Sequence, residues 1–142
     1  MTAVYNEILL PTDGGVTAKA GARHGIELAA AVGARVHALY VAHLYGEETT
    51  RTDELDAKYR EYGEDVTSEL CESAAAAGVD CLTAIRSGEP SGAIIEYAAE
   101  NDVDLIVMAT ASRGEIGTSI GSTTETVIQE SSIPVTTLRT SQ

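Results

Sequence analysis

The stretch Asp104-Leu-Ile-Val-Met-Ala109 decides the fold, because its apolar residues follow one another without a polar residue between them. A half-exposed strand alternates apolar and polar residues, whereas a short continuous apolar run is typical of a strand buried on both faces of a parallel sheet. We therefore predict a central parallel strand here, in a sheet that is covered by helices on both sides.

Outward from this strand, short β-branched runs alternate with longer Ala-rich or amphipathic stretches. Such alternation, with right-handed crossovers, gives a doubly wound α/β fold with three layers, α/β/α. At 142 residues we expect a single domain spanning 1–142. The predicted strands are 6–11, 34–42, 80–86, 104–109 and 135–139, and the predicted helices are 16–32, 53–77, 91–100 and 121–130.

The predicted helix 53–77 has apolar side chains that recur every three or four residues, which places them on one face. We interpret this stripe as packing against the core rather than as a cofactor-binding surface. Its members are Leu55, Tyr59, Tyr62, Val66, Leu70 and Ala74.

The composition excludes two classes of partner. Asp plus Glu number 22 against 9 Lys plus Arg, for a net charge of −13. A chain this acidic repels nucleic acid and anionic membranes. Lysine is rare and Phe and Trp are absent, a pattern that suggests a salt-adapted (halophilic) cytoplasm, where screening reduces the self-repulsion. An ordinary acidic protein is the alternative.

The termini, cysteines and histidines give further expectations. The first ten residues lack a basic segment and a long apolar run, so we expect no signal peptide and a cytoplasmic protein.

Cys71 and Cys81 are too few for a disulfide scaffold, and we predict two small, buried hydrophobic residues. The three histidines lack ligand-like spacing, which argues against a metal site built on them.

Two segments carry candidate ligand-binding chemistry. Leu10-Pro-Thr-Asp-Gly-Gly15 follows the first predicted strand, and its Thr and Asp oxygens can cap a helix or bind a ribose hydroxyl or a metal. Gly121-Ser-Thr-Thr124 stands where we predict the last helix to begin, a natural anion site, although Ser122 with Glu125 also fits a capping box. Ligands of doubly wound sheets bind beyond the carboxyl ends of the strands, where both segments are expected.

Taken in order, several motifs resemble the universal stress protein family over nearly the whole chain. They are Ile8-Leu-Leu-Pro-Thr-Asp-Gly14, Gly88-Glu-Pro90, Asp104-Leu-Ile-Val-Met108, Gly121-Ser-Thr-Thr-Glu-Thr-Val127 and Ile133-Pro-Val135. The resemblance implies a five-stranded parallel sheet of order 3-2-1-4-5, of the adenine nucleotide alpha hydrolase-like type. It also implies a dimeric cytoplasmic stress-response module, a homodimer paired through its last strands, Val135 to Arg139.

Family members that bind ATP resemble one another in a G-x-x-G-x9-G-S/T loop after the fourth strand. In this chain the first two glycine positions fall on Ala109 and Ser112, and the loop to Gly121 is one residue shorter. Its one cation is Arg113. The resemblance implies ATP or AMP with Mg²⁺, Asp13 meeting ribose or metal, Val41 the adenine edge, and Ser122 and Thr123 the phosphates. The full set is Pro11, Thr12, Asp13, Val41, Ala109, Ser112, Arg113, Gly121, Ser122 and Thr123.

Two other functions stay open from the sequence. A protein of the same fold that binds partners but no nucleotide is the first. A flavin-binding electron carrier is the second, because residues 11–17 superficially resemble a phosphate loop. We find neither a Ser-His-Asp set at nucleophile-elbow spacing nor a G-x-x-x-x-G-K-[ST] motif, so we expect at most slow ATP hydrolysis.

Overall fold

A computed structural model describes residues 5–42, 53–111 and 119–140. Its strands are all parallel and run in the order β3-β2-β1-β4-β5, which confirms the predicted doubly wound sheet. The elements are β1 (Glu7–Pro11), α1 (Val16–Val32), β2 (Arg35–Ala42), α2 (Asp53–Ala76), β3 (Cys81–Ser87), α3 (Pro90–Glu100), β4 (Leu105–Ala111), α4 (Ser119–Glu130) and β5 (Val135–Thr140).

The neighbouring strands β1 and β4 form the centre of the core. Leu9 and Ile106 are fully buried against α3 and α4, while Ile8, Leu10 and Val107 pack on the opposite face against α1 and α2. The apolar run of β4 is therefore buried on both faces, as predicted. No helix in the described ranges is both long enough and apolar enough to cross a membrane.

Glycine and proline stand at the ends of two helices, whose bounds agree with the predicted ones to within one residue. Gly33 closes α1 in the left-handed region, with φ of 75°, and its amide donates to the Ala29 carbonyl. Pro90 occupies the first turn of α3, and the Glu89 side chain caps that helix by accepting from the Gly92 amide at 2.8 Å. Gly33 and Glu89 satisfy backbone groups that the helix itself cannot, and Pro90 has no N–H to leave unpaired in the first turn.

The start of α4 differs from the prediction. The helix begins at Ser119 rather than Gly121, so Gly121-Ser-Thr-Thr124 lies inside its first turns. The capping-box interpretation of Ser122 and Glu125 is therefore wrong, because a capping residue stands outside the helical backbone. The Ser122 carbonyl instead accepts a hydrogen bond from the Thr126 hydroxyl at 3.0 Å.

The cysteines also differ from the prediction. Cys71 on α2 and Cys81 at the start of β3 form a disulfide and are only partly buried. After the turn at Gly78 the chain reverses, so that β3 begins beside the last turns of α2. This reversal brings Cys71 and Cys81 together, which their spacing in the sequence did not predict. The bond fastens the end of α2 to β3, which lies at one edge of the sheet.

Among the members of the α2 stripe whose side chains are described, which leaves out Leu55, those near the end of the helix pack against the core. Leu70 and Ala74 are buried, as predicted, but Tyr62 is 47% exposed and Tyr59 is half-buried. The core-facing interpretation is therefore wrong for the tyrosines. They lie nearer the start of the helix, which is close to the carboxyl ends of the strands. We call this end of the sheet its carboxyl edge.

A buried polar cluster lies near the amino end of the sheet, on β1, β2 and α3. His37 is 2% exposed; its Nε2 shares a hydrogen bond of 2.6 Å with the Glu7 carboxylate, and its Nδ1 shares one of 2.7 Å with the Tyr97 hydroxyl. Burial raises the pKa of Glu7, but hydrogen bonds from His37 and Arg35 outweigh it and hold that pKa below its ordinary value. The cluster satisfies its own polar groups and is remote from the carboxyl edge.

Candidate functional site

The turn between β1 and α1 is built by its own side chains. The Thr12 hydroxyl accepts from the Gly14 amide at 3.1 Å, and the Asp13 carboxylate accepts from the Gly15 amide at 2.8 Å. Gly15 caps α1 without any side-chain hydrogen bond, so neither Thr12 nor Asp13 caps this helix. Two amides that a phosphate loop would offer are thus already bonded, which weakens the flavin interpretation.

A pocket of about 260 Å³ opens beyond the carboxyl ends of β1, β2 and β4. In the sheet, β2 lies on one side of β1 and β4 lies on the other. The order of the strands therefore reverses between β1 and β4, and this reversal leaves a crevice at their carboxyl ends. The lining includes six of the residues that the sequence singles out: Pro11, Thr12, Asp13, Val41, Ala109 and Thr123.

The remaining predicted site residues are placed differently. Ser112 and Arg113 lie outside the described residues, so their predicted contact with a ligand stays a prediction. Gly121 lies within α4. Ser122 is exposed on the same helix, and the lining defined by the described residues contains Thr123 but not Ser122.

Several lining residues were missed from the sequence. Tyr59 reaches the pocket from α2, Ile94 from α3, and Tyr40 and Met108 from the sheet. Tyr59 and Met108 were predicted to be core residues and Tyr40 and Ile94 were not singled out, since aromatic and aliphatic side chains in strands and helices are usually buried. The pocket is thus a mainly apolar slot with a few polar side chains, Thr12, Asp13 and Thr123, and such a lining is typical of small-molecule sites.

The charge in the slot is negative. Of its described lining, Asp13 alone carries a charge, and no cation faces a ligand from this part of the chain. Burial, together with the neighbouring Tyr62, Tyr59 and Asp13, raises the pKa of Tyr40, which keeps its hydroxyl protonated. This part of the pocket favours the uncharged portion of a ligand over its phosphates.

Asp13 is also the predicted metal ligand. Among residues 5–42, 53–111 and 119–140, no three His, Cys, Asp or Glu side chains gather closely enough to hold a metal ion. Magnesium is commonly held by one or two carboxylates together with substrate phosphates and water. Asp13 therefore suits a shared role with a phosphorylated ligand and does not form a metal site by itself.

Ala109 stands where ATP-binding relatives are expected to have the first glycine of their loop. A Cβ placed on Gly21 of α1 would lie only 2.9 Å from the Ala109 Cβ. Because Gly21 on α1 has no side chain, there is room for the Ala109 methyl group on β4. Asp102 is the one non-glycine residue with positive φ in the described ranges, so Ala109 has an ordinary backbone.

The topology and the position of the pocket together define a three-layer α/β domain with a ligand crevice at its switch point. The model of the universal stress protein family matches residues 5–139, and the chain belongs to this family. A universal stress protein of Methanocaldococcus jannaschii is 32% identical over 139 residues, which covers 93% of this chain and 81% of that protein.

Solved structures extend the comparison. A universal stress protein family member from Burkholderia pseudomallei superposes with a TM-score of 0.80 at 23% identity, covering 97% of this chain and 98% of that one. A universal stress protein in complex with cAMP superposes with a TM-score of 0.75 at 21% identity, covering 96% and 98%. At these identities the likeness establishes a shared fold.

Proposed function

We propose that this chain is a stress-response binding module that takes up an adenine nucleotide in the pocket at the carboxyl edge of the sheet. The observation that carries the proposal is the convergence on one apolar slot of Thr12 and Asp13 from the turn after β1, Val41 from β2 and Thr123 from α4. The relative of the same fold that holds cAMP supports it. In the proposed pose Val41 meets the adenine edge, Asp13 the ribose, and Thr123 the phosphate side.

The ligand's charge is part of the proposal. With Asp13 in the lining and −13 on the chain, phosphates are repelled at low salt. We therefore expect AMP to bind better than ATP at low salt, with Mg²⁺ or multimolar KCl reducing the difference. A salt-adapted cytoplasmic setting, which the composition supports, would supply that screening.

Replacing Asp13 with Ala should weaken AMP binding by at least about tenfold, since a hydrogen bond to a charged group contributes more than 1.4 kcal/mol. Calorimetric titration of nucleotide-free protein, at low salt and in KCl, measures the change. Asp80→Ala is the matched control, because that exposed carboxylate lies at the amino ends of the strands, away from the pocket. Equal affinity of the Asp13 variant and the control would exclude the proposed pose.

The role we propose is binding and signalling rather than efficient catalysis. Within the described pocket lining, no histidine, lysine or cysteine is available as a general base or nucleophile. Slow ATP hydrolysis is the most activity we expect. A protein that binds no nucleotide in the titration above would favour the alternative, an interaction module of the same fold.

We propose further that two copies pair through β5. This strand lies at the edge of the sheet beside β4, and in the described chain no other strand covers its outer side. Apart from Arg139 its residues are uncharged, Val135, Leu138 and threonines, so few charges oppose a second strand. Antiparallel pairing would satisfy the outer backbone groups of both copies.

Thr137→Asp should therefore convert a dimer into a monomer, because exposed Thr137 near the middle of β5 would face a like charge across the pair. Light scattering after size exclusion should give twice the 14.8 kDa chain mass for the unaltered protein and the chain mass for the variant. Ser132→Asp, exposed just before the strand, controls for added charge. A dimer that survives in Thr137→Asp would exclude this interface.

A further inference from the structure

Tyr62 is half-exposed on α2, yet its side chain is held by two contacts. Its hydroxyl donates to the backbone carbonyl of Asp13 at 3.1 Å. Its ring stands edge-on to Tyr40, with centroids 5.5 Å apart and planes inclined by 71°. An exposed tyrosine on a helix seldom needs two such contacts, and both lead from α2 to the carboxyl edge of the sheet.

The turn after β1 is shaped to receive this hydroxyl. Gly14 has φ of 84°, and a Cβ built on it would overlap the Tyr62 hydroxyl. Glycine thus serves two needs here, the left-handed backbone and the close approach of the tyrosine. The Asp13 carbonyl is held by Tyr62 and its carboxylate by the Gly15 amide, so this residue is restrained at both its backbone and its side chain.

The partner ring is fixed in its turn. Tyr40 is 7% exposed on β2 and lines the pocket. A Cβ on Gly63 would lie 2.6 Å from the Tyr40 ring, so the glycine next to Tyr62 lets α2 approach this ring. Two adjacent residues of α2 therefore act together: Gly63 leaves room for the Tyr40 ring, and Tyr62 bonds the turn at Asp13.

We infer that Tyr62 is a positioning residue of the ligand site: by holding the Asp13 carbonyl over Gly14, it keeps the Asp13 carboxylate at the mouth of the pocket. This rests on the proposed function, because the ligand that Asp13 meets is the proposed adenine nucleotide. Tyr62 does not line the pocket in the described chain and acts through Asp13.

Tyr62→Phe tests the inference, since it removes the hydroxyl and leaves the ring against Tyr40. We expect AMP to bind roughly three- to tenfold more weakly, the factor that one lost hydrogen bond brings. Tyr97→Phe is the matched control, because it removes a tyrosine hydroxyl that bonds buried His37. The control should lower the unfolding midpoint and leave AMP affinity unchanged.

A double-mutant cycle separates positioning from a general structural effect. If Tyr62 acts through Asp13, then Tyr62→Phe should have little further effect on AMP affinity in the Asp13→Ala background. Additive losses, or an unchanged affinity in Tyr62→Phe, would overturn the role of Tyr62 while the proposed function stands. An unaltered protein that binds no AMP at millimolar concentration would overturn both.

Discussion

Loss of the Cys71–Cys81 disulfide is expected to lower the free energy of unfolding by about 3 kcal/mol, the value that chain entropy predicts for so short a loop. The two cysteines are 10 residues apart and join α2 to β3. As an edge strand, β3 pairs with β2 alone in the described sheet. In the folded protein the bond therefore ties an edge strand, which has one strand neighbour, to α2, and in the unfolded protein it closes a short loop.

Denaturant unfolding with and without dithiothreitol measures this effect, and Cys71→Ser with Cys81→Ser should reproduce the reduced state. Adding dithiothreitol to the double variant is the control and should change nothing. Thiol titration of the unfolded, unreduced protein gives an independent check, with no free thiol expected. Two free thiols would rule out the bond, and equal stability of the oxidised and reduced protein would contradict its predicted stabilising effect.

Gly21→Val is expected to destabilise the fold by about 3 kcal/mol through overpacking. Gly21 is buried where α1 crosses β4, and a Cβ there would lie 2.9 Å from the Ala109 Cβ and 3.2 Å from the Ala109 amide nitrogen. A backbone atom in a central strand cannot move aside as a flexible side chain can. The helix must shift outwards instead, which opens the core beneath it.

Ala31→Val is the matched control, because it puts the same residue at an exposed position of the same helix. Only the difference in helix propensity acts there, below about 1 kcal/mol. Thermal or denaturant unfolding of both variants tests the comparison. Similar losses of stability in the two would mean that α1 and β4 do not approach as closely as described.

Because Ala109 also lines the pocket, Gly21→Val should weaken nucleotide binding too.

The fold follows closely from local signals in the sequence. The run Leu105–Met108 indicates burial on both faces, and in a doubly wound fold that burial requires helices on either side. Helix α1 was predicted with its observed bounds, because Gly33 supplies a left-handed end that few other residues adopt. The strand order, in contrast, came from the family resemblance, since periodicity does not say which strands are neighbours.

The features that escaped prediction depend on how elements meet. Helical spacing put Tyr62 and Leu70 on one face, but the spacing could not show that α2 passes from the core to the edge of the pocket. Likewise the pairing of Cys71 with Cys81 depends on how far α2 and β3 overlap. The role of Gly21 opposite Ala109 was hidden for the same reason, because each residue is informative only beside the other.

The central claim is that an adenine nucleotide occupies the crevice at the carboxyl edge of the sheet. Titrating ¹⁵N-labelled protein with AMP and following its amide resonances tests this claim most directly. We predict saturable shifts that cluster at the pocket, including Thr12, Asp13, Val41 and Ala109, with none at the opposite edge around Gly33 and Asp80. An unchanged spectrum at millimolar AMP, or shifts centred away from the pocket, would contradict the claim.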